Sequence, residues 1–282
     1  MKKKIGFVDL FIDEWHANNY PAWIKAAPRA DEFELAYAWQ AEQREGLKTL
    51  EEWCAEFGAA PCASLEELVE KSDAIFVLAP SNPEVHEMLA ELPLKSGKCV
   101  YIDKPFAPDK AAAERMFALA DRYGTKMFSS SALRFGSEIA AVRKAVDPAA
   151  VDVMTTTGGG RSFEEYAIHQ AEMIVSVMGT GIDAVMQCGS GKTQHCVVRY
   201  KDGRRAAMTL NPSSPFTVAV YTPEKTETIT TMGDFFPNLL ASILDFFADG
   251  NLPVDRKETI EIAALLRTAI DAQQTPDQWV KL

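Results

Sequence analysis

The chain has 282 residues, 47% hydrophobic and 24% charged, proportions ordinary for a soluble globular protein and a length sufficient for two domains. A net charge of −11 argues against a nucleic-acid partner, and the Lys2-Lys3-Lys4 cluster reads as a solvated terminus. Five cysteines without a CxxC pair suggest neither a disulfide framework nor a cysteine zinc site, and no apolar run reaches the ~18–20 residues of a membrane span.

The first half alternates strand and helix. "KIGFV" is an apolar strand, "YPAWIKAA" a helix with Pro21 near its start, and "FELAYAW" a second strand. "TLEEWCAEFG" is a helix closed by Gly58, and "SLEELVEKS" a short one in which Ser64 and Glu67 form a capping box. "AIFVLAP" is apolar throughout, as a parallel strand covered on both faces requires. "PEVHEMLAEL" is helical, "CVYID" a strand, "DKAAAERMFALADRYG" a long amphipathic helix and "KMFSSS" a strand. Short strands separated by helices predict an α/β domain over residues 1–125 with a Rossmann-like, doubly wound parallel sheet.

From Val151 the texture changes. "VDVMTTTGGG", "DAVMQCGSG", "QHCVVRYKDG", "RRAAMTLNP", "FTVAVYTP" and "KTETITTMG" are β-like and punctuated by turn residues. One helical stretch, "EEYAIHQAEMIVSVMG", interrupts them, and "FFPNLLASILDFFADG" and "RKETIEIAALLRTAIDAQQ" close the chain as helices. Residues 126–282 therefore read as an α+β domain with an open, mostly antiparallel sheet, the last helices free to pack back on the first domain. The apolar run after MKKK ends at Asp9, too short for a secretory signal, so a cytoplasmic location is expected.

"DAIFVLAPSNPEVHEMLAEL", "GKCVYIDKPFAPDKAAAERMFALADRYG", "ALRF", "YAIHQAEMIVSVMG" and "LLASILDFFADGNLPVDRKETIEIAALLRTA" together resemble the glucose–fructose oxidoreductase, inositol dehydrogenase and MocA (Gfo/Idh/MocA) family, in the family's order. The resemblance implies an NAD- or NADP-binding first domain, a small polyol or sugar held between it and the second, and a homodimer or homotetramer formed through the open sheet. Lys104 in "DKP" matches the family's E-K-P lysine, with Asp103 in place of glutamate; His169 matches the catalytic histidine, and Glu165 falls where an aspartate is usual. Ala79, Pro80, Ser81, Asn82 and His86 match the loop and helix start that border the nicotinamide and ribose. The residue types suit alcohol oxidation. A histidine can take the hydroxyl proton, a lysine ammonium can polarise the oxygen, and a carboxylate at i−4 can orient the histidine or bind substrate. Glu165 could equally begin a solvated helix end, and His86 reads as a structural hydrogen-bond donor at a helix start in preference to a catalytic group. His16 and His195 have no partner identifiable from the sequence.

The sequence departs from the family at the phosphate loop. Its three glycines, needed for a tight turn and close backbone approach, fall at Asp9, Phe11 and Glu14, with Ile12 between. Where an acidic residue usually grips the ribose, Trp39 and Gln40 stand, with Arg44 further on, so NAD and NADP are not distinguished. The stretch "TTTGGGRSFEEYAIHQ" joins strand to histidine helix without the family's usual excursion. Three expectations stay open. The first is an NAD(P)-dependent oxidoreductase with an atypical loop. The second is a binding or regulatory protein, lyase or isomerase that has lost the dinucleotide. The third is a divalent-cation site at Asp9, Asp13, Glu14 and His16, against which a solvated acidic helix start is preferred.

Overall fold

A computed structural model of the chain describes residues 1–189 and 191–282. The first strands and helices are β1 (Lys3–Asp9), α1 (Trp15–Ala26), β2 (Phe33–Gln40), α2 (Leu50–Phe57), β3 (Ala60–Pro61), α3 (Leu65–Lys71), β4 (Ala74–Val77), α4 (Pro83–Lys95), β5 (Cys99–Ile102), α5 (Lys110–Tyr123) and β6 (Met127–Ser129). There follow α6 (Ser137–Ala145), β7 (Val153–Gly158), α7 (Phe163–Met178), β8 (Ile182–Gln187), β9 (Gln194–Tyr200), β10 (Arg205–Leu210), β11 (Thr217–Tyr221), β12 (Thr226–Ile229), α8 (Phe235–Asp249), α9 (Arg256–Asp271) and β13 (Val280–Lys281). The chain divides into two compact units, residues 1–130 with 237–256, and residues 131–236 with 257–282.

The first unit is built on a six-stranded sheet in the order β3-β2-β1-β4-β5-β6, every pairing parallel. The fold class expected from the alternating pattern is observed. β4 is buried along its whole length, as a strand covered on both faces must be. Phe76 on β4 meets Phe7, Tyr101 and Phe247 with ring centroids 5.1, 5.5 and 5.2 Å apart, which gathers three strands and α8 into one core. Gly6 on β1 lets α3 approach closely: a Cβ there would stand 2.3 Å from Ser72 Oγ and 2.8 Å from a Leu68 methyl.

Two local expectations change. Helix α1 begins at Trp15, upstream of the predicted start, because Glu14 caps it; Pro21 then lies inside the helix, where its missing N–H leaves one turn unbonded. Thr49 and Glu52 form a full capping box on α2, whereas at Ser64 only half forms, Glu67 turning its carboxylate to the Ala63 amide instead.

The second unit carries a seven-stranded sheet in the order β12-β11-β7-β10-β9-β8-β13. It is mostly antiparallel, with β7 and β10 paired in parallel. Burial alternates along β7, β9 and β10, and the buried set (Met154, Cys196, Val198, Ala206 and Met208) packs with Ala167, Ile168, Ala171 and Ile174 of α7 in one core. Among the described residues no helix is long and apolar enough to cross a membrane.

Candidate functional site

The carboxyl ends of parallel strands are where open α/β sheets take ligands. In the first unit those ends present Asp9 as the last residue of β1, Gln40 as the last of β2, Ala79 and Ser81 after β4, and Asp103 with Lys104 after β5. Ala79 and Ser81 hold φ of 61° and 64°, a left-handed conformation that costs a residue with a Cβ of order 1 kcal/mol or more and that clusters at functional loops.

The loop between β1 and α1 is furnished with its own acceptors. Asp9 Oδ1 accepts from the amides of Leu10 (2.7 Å) and Ala79 (3.1 Å). Gln40 Oε1 accepts from the Ile12 amide at 2.9 Å, and its Nε2 donates to Gln43. Glu14 accepts from the amides of His16 (2.7 Å) and Ala17 (2.5 Å), the first turn of α1. Phe11 lies under the Arg44 guanidinium, 3.7 Å from its centre. Asp13 accepts from Asn18 and from the Lys48 amide.

Behind this loop sits a buried titratable cluster. His16 Nδ1 lies 3.0 Å from Asp103 Oδ2, and Asp103 Oδ1 accepts from the Lys104 amide at 2.8 Å. The Tyr101 hydroxyl is 3.2 Å from Asp103 Oδ1 and 3.0 Å from the Ser130 carbonyl. Burial pushes the Asp103 carboxyl up, but His16 and Lys104 outweigh it and hold it at about 2. Burial, and then the neighbouring Glu14, push Asp9 well above the usual carboxylate range. Burial also raises Glu14, partly opposed by His16. Asp9 Oδ2 is buried without a hydrogen-bond partner. The acidic helix start is thus not the solvated one the sequence suggested: Asp9 ends a central strand and His16 faces inward. Among the described residues no group of three or more His, Cys, Asp or Glu side chains is placed to hold a metal ion.

Lys104 is buried, its Nζ 3.5 Å from Ser81 Oγ. Pro80, Ser81 and Asn82 are half-buried on the turn into α4, whose first residue is Pro83. His86 is fully buried and faces the carbonyls of Leu78 (2.7 Å), Ala79 (3.1 Å) and Phe106 (3.1 Å), so it ties the β4 end to the segment after β5. Burial lowers its basicity.

In the second unit His169 stands on α7, its Nδ1 2.7 Å from Ser131 Oγ and its ring edge-on to Phe216 at 5.5 Å. Ser131 is itself held: its amide donates to Glu172 Oε1 at 3.2 Å, and Glu172 Oε2 accepts from Arg134 Nε at 2.6 Å. Glu165 pairs with Arg161, and His169 Nδ1 contacts Ser131 Oγ. Sequence reasoning does not single out Ser131, Arg134 or Glu172. The available signal is Glu172 at i+3 from the histidine, on the same helical face. His195, partnerless in the sequence, bonds Thr209 across β9 and β10 at 2.8 Å.

Residues 15–131 match the oxidoreductase family with an NAD-binding Rossmann fold. That stretch is similar to the Gfo/Idh/MocA family over its Rossmann domain. An uncharacterized oxidoreductase of Escherichia coli K12, YhhX, is 31% identical over 85 residues, 30% of this chain and 25% of that protein. The chain therefore aligns with about a quarter of its curated relative. The fold extends the likeness to the whole chain. The scyllo-inositol dehydrogenase of Lactobacillus casei with bound NAD(H) and scyllo-inositol superposes with a TM-score of 0.83 at 15% identity, over 100% of this chain and 99% of that one. A probable dehydrogenase from Thermotoga maritima gives 0.82 at 17%, over 99% and 98%.

A dinucleotide held in the Rossmann manner needs free loop amides and a bare backbone beside the diphosphate. As folded, this loop does not fit that diphosphate. The amides of Leu10, Ile12, His16 and Ala17 each meet a side-chain oxygen of the chain itself, and the glycine positions carry two carboxyls and a phenyl ring.

Proposed function

We propose that the chain is an NAD(P)-dependent oxidoreductase of the Gfo/Idh/MocA kind, acting at a hydroxyl carbon of a small sugar, cyclitol or related hydroxy compound. The observation that carries this reading is the His169–Ser131 pair. With Nδ1–H donating to Ser131 Oγ, Nε2 holds the lone pair that takes the hydroxyl proton. Tyr166 and Phe216 flank the imidazole and limit its rotation. The Lys104 ammonium polarises the substrate oxygen, and Glu165 adds a substrate contact. The ligands of fold neighbours, scyllo-inositol for one and a nucleotide sugar for another, support the substrate class. A cytoplasmic homodimer or homotetramer, assembled on the half-exposed face of the seven-stranded sheet, completes the proposal.

The occupied loop amides favour a second reading, a family member without dinucleotide chemistry that serves as a binding or regulatory protein, lyase or isomerase. Melting curves with NAD(H) and NADP(H), followed by turnover assays on a polyol panel, separate the two. A ligand at a hundred times its dissociation constant adds ~2.7 kcal/mol of stability. The first reading expects such a shift with at least one nucleotide, and a loss of about 10²–10⁴ in turnover for His169→Ala. No shift at millimolar nucleotide and no turnover would leave the second.

A further inference from the structure

Glutamate is not among the side chains that helix N-caps prefer, which are Ser, Thr, Asp and Asn. The caps of α2, α3, α5 and α7 follow the preference: Thr49, Ser64, Asp109 and Ser162 each accept from one amide. Glu14 instead spreads its carboxylate over two, His16 and Ala17. It also stands at the third position of the lost glycine pattern, on the strand-to-helix turn that gives Rossmann folds their diphosphate site. A carboxylate seated on two amides at a helix start has the charge and the donor partners of a bound phosphate oxygen pair.

We propose that Glu14 is a built-in competitor of the nucleotide, its carboxylate occupying the place of the diphosphate at the start of α1 and setting how tightly this chain takes NAD or NADP. The identity of the displaced ligand rests on the oxidoreductase reading above; the occupancy itself does not. Gln40 acts likewise on the Ile12 amide, earlier in the same loop. The groups facing Glu14 are His16, with Nδ1 at 3.8 Å, and the carboxyls of Asp9 and Asp103. Rotating the Glu14 side chain away uncovers two N–H groups and the positive end of α1 without moving the backbone. Removing one unit charge ~5 Å from a phosphate, at an effective dielectric near 20, corresponds to a gain of about a hundredfold in affinity.

The experiment measures dissociation constants of the full chain and of Glu14→Ala and Glu14→Gln, for NADH and NADPH by nicotinamide fluorescence and for inorganic pyrophosphate by calorimetry. Glu14→Ala should bind pyrophosphate where the unaltered chain does not, and should bind a dinucleotide about 10–100-fold tighter. Glu14→Gln, which keeps the amide acceptor and so guards against loss of the helix start, should gain less. Equal constants for all three proteins, for pyrophosphate and dinucleotide alike, would overturn the proposal, as would tight dinucleotide binding by the unaltered chain that the substitutions leave unchanged. A gain for pyrophosphate alone, with no dinucleotide bound by any variant, would uphold the role of Glu14 and end the oxidoreductase reading.

Discussion

Replacing Glu172 with glutamine should cost the second unit about 3 kcal/mol. Arg134 and Glu172 have side chains only 2% and 4% exposed, with 2.6 Å between Nε and Oε2. Breaking a buried ion pair by neutralising one partner costs about 3–5 kcal/mol, because the other charge stays desolvated. Arg134 keeps a second carboxylate, Glu258, at 2.5 Å, and that group is 23% exposed, which places the loss at the low end. At about 2–4 °C per kcal/mol for a chain of this size, the melting point should fall by roughly 6–12 °C in calorimetry. The Ser131 amide hangs on the same carboxylate, so the Ser131–His169 contact should loosen with it, seen as a change in the His169 ring signals by NMR. The double substitution Arg134→Met with Glu172→Leu should recover most of the stability, since apolar side chains of similar volume replace buried pairs at little cost. A Glu172→Gln protein within ~1 kcal/mol of the parent would refute the reasoning.

Three further outcomes are expected. Asp9→Asn should stabilise by on the order of 1 kcal/mol at neutral pH in urea unfolding, because it removes the charge from a buried acceptor without a partner. Asp9 is raised in the folded state, so its contribution is complete below the unfolded value near 4 and declines as pH rises; the advantage of the variant should appear above pH 4, and an advantage that instead grew on acidification would contradict the assignment. Asp103 is the opposite case: held at about 2 against a reference of 3.8, it contributes about 2 kcal/mol above pH 4 that is lost as pH falls through 2. Asp103→Asn should therefore be less stable than the parent at pH 7, with the gap closing between pH 4 and 2; a gap constant over that range would show that the carboxylate is not held by His16. Gly6→Ala should destabilise by about 1–3 kcal/mol, since α3 must shift to clear Ser72 and Leu68, and an unchanged melting point would mean that β1 and α3 are packed less closely than described.

Much of the architecture was legible because it depends on residue pattern. Continuous apolar strands such as "AIFVLAP" between amphipathic helices can bury both faces only in a parallel sheet covered by helices, and β4 does so. The parallel pairing of β7 with β10 was not legible, since a strand of period two looks the same whichever way its neighbour runs. Nor was β13, two residues long and added to the sheet edge at the end of the chain.

For the site, the sequence by itself determined the inventory: Lys104 beside Asp103, His169 on an apolar helix, and the loss of the glycines at Asp9, Phe11 and Glu14. Only the tertiary structure decided what these groups do to one another. His16 found Asp103, Gln40 reached the Ile12 amide from the next strand, and His169 met Ser131 from outside its own helix. The physical reason is one of range. Helix and strand patterns are short-range properties of neighbouring residues, whereas a hydrogen bond or a shifted carboxyl depends on which distant side chain the fold brings within about 3 Å, and on how much water it removes from between them.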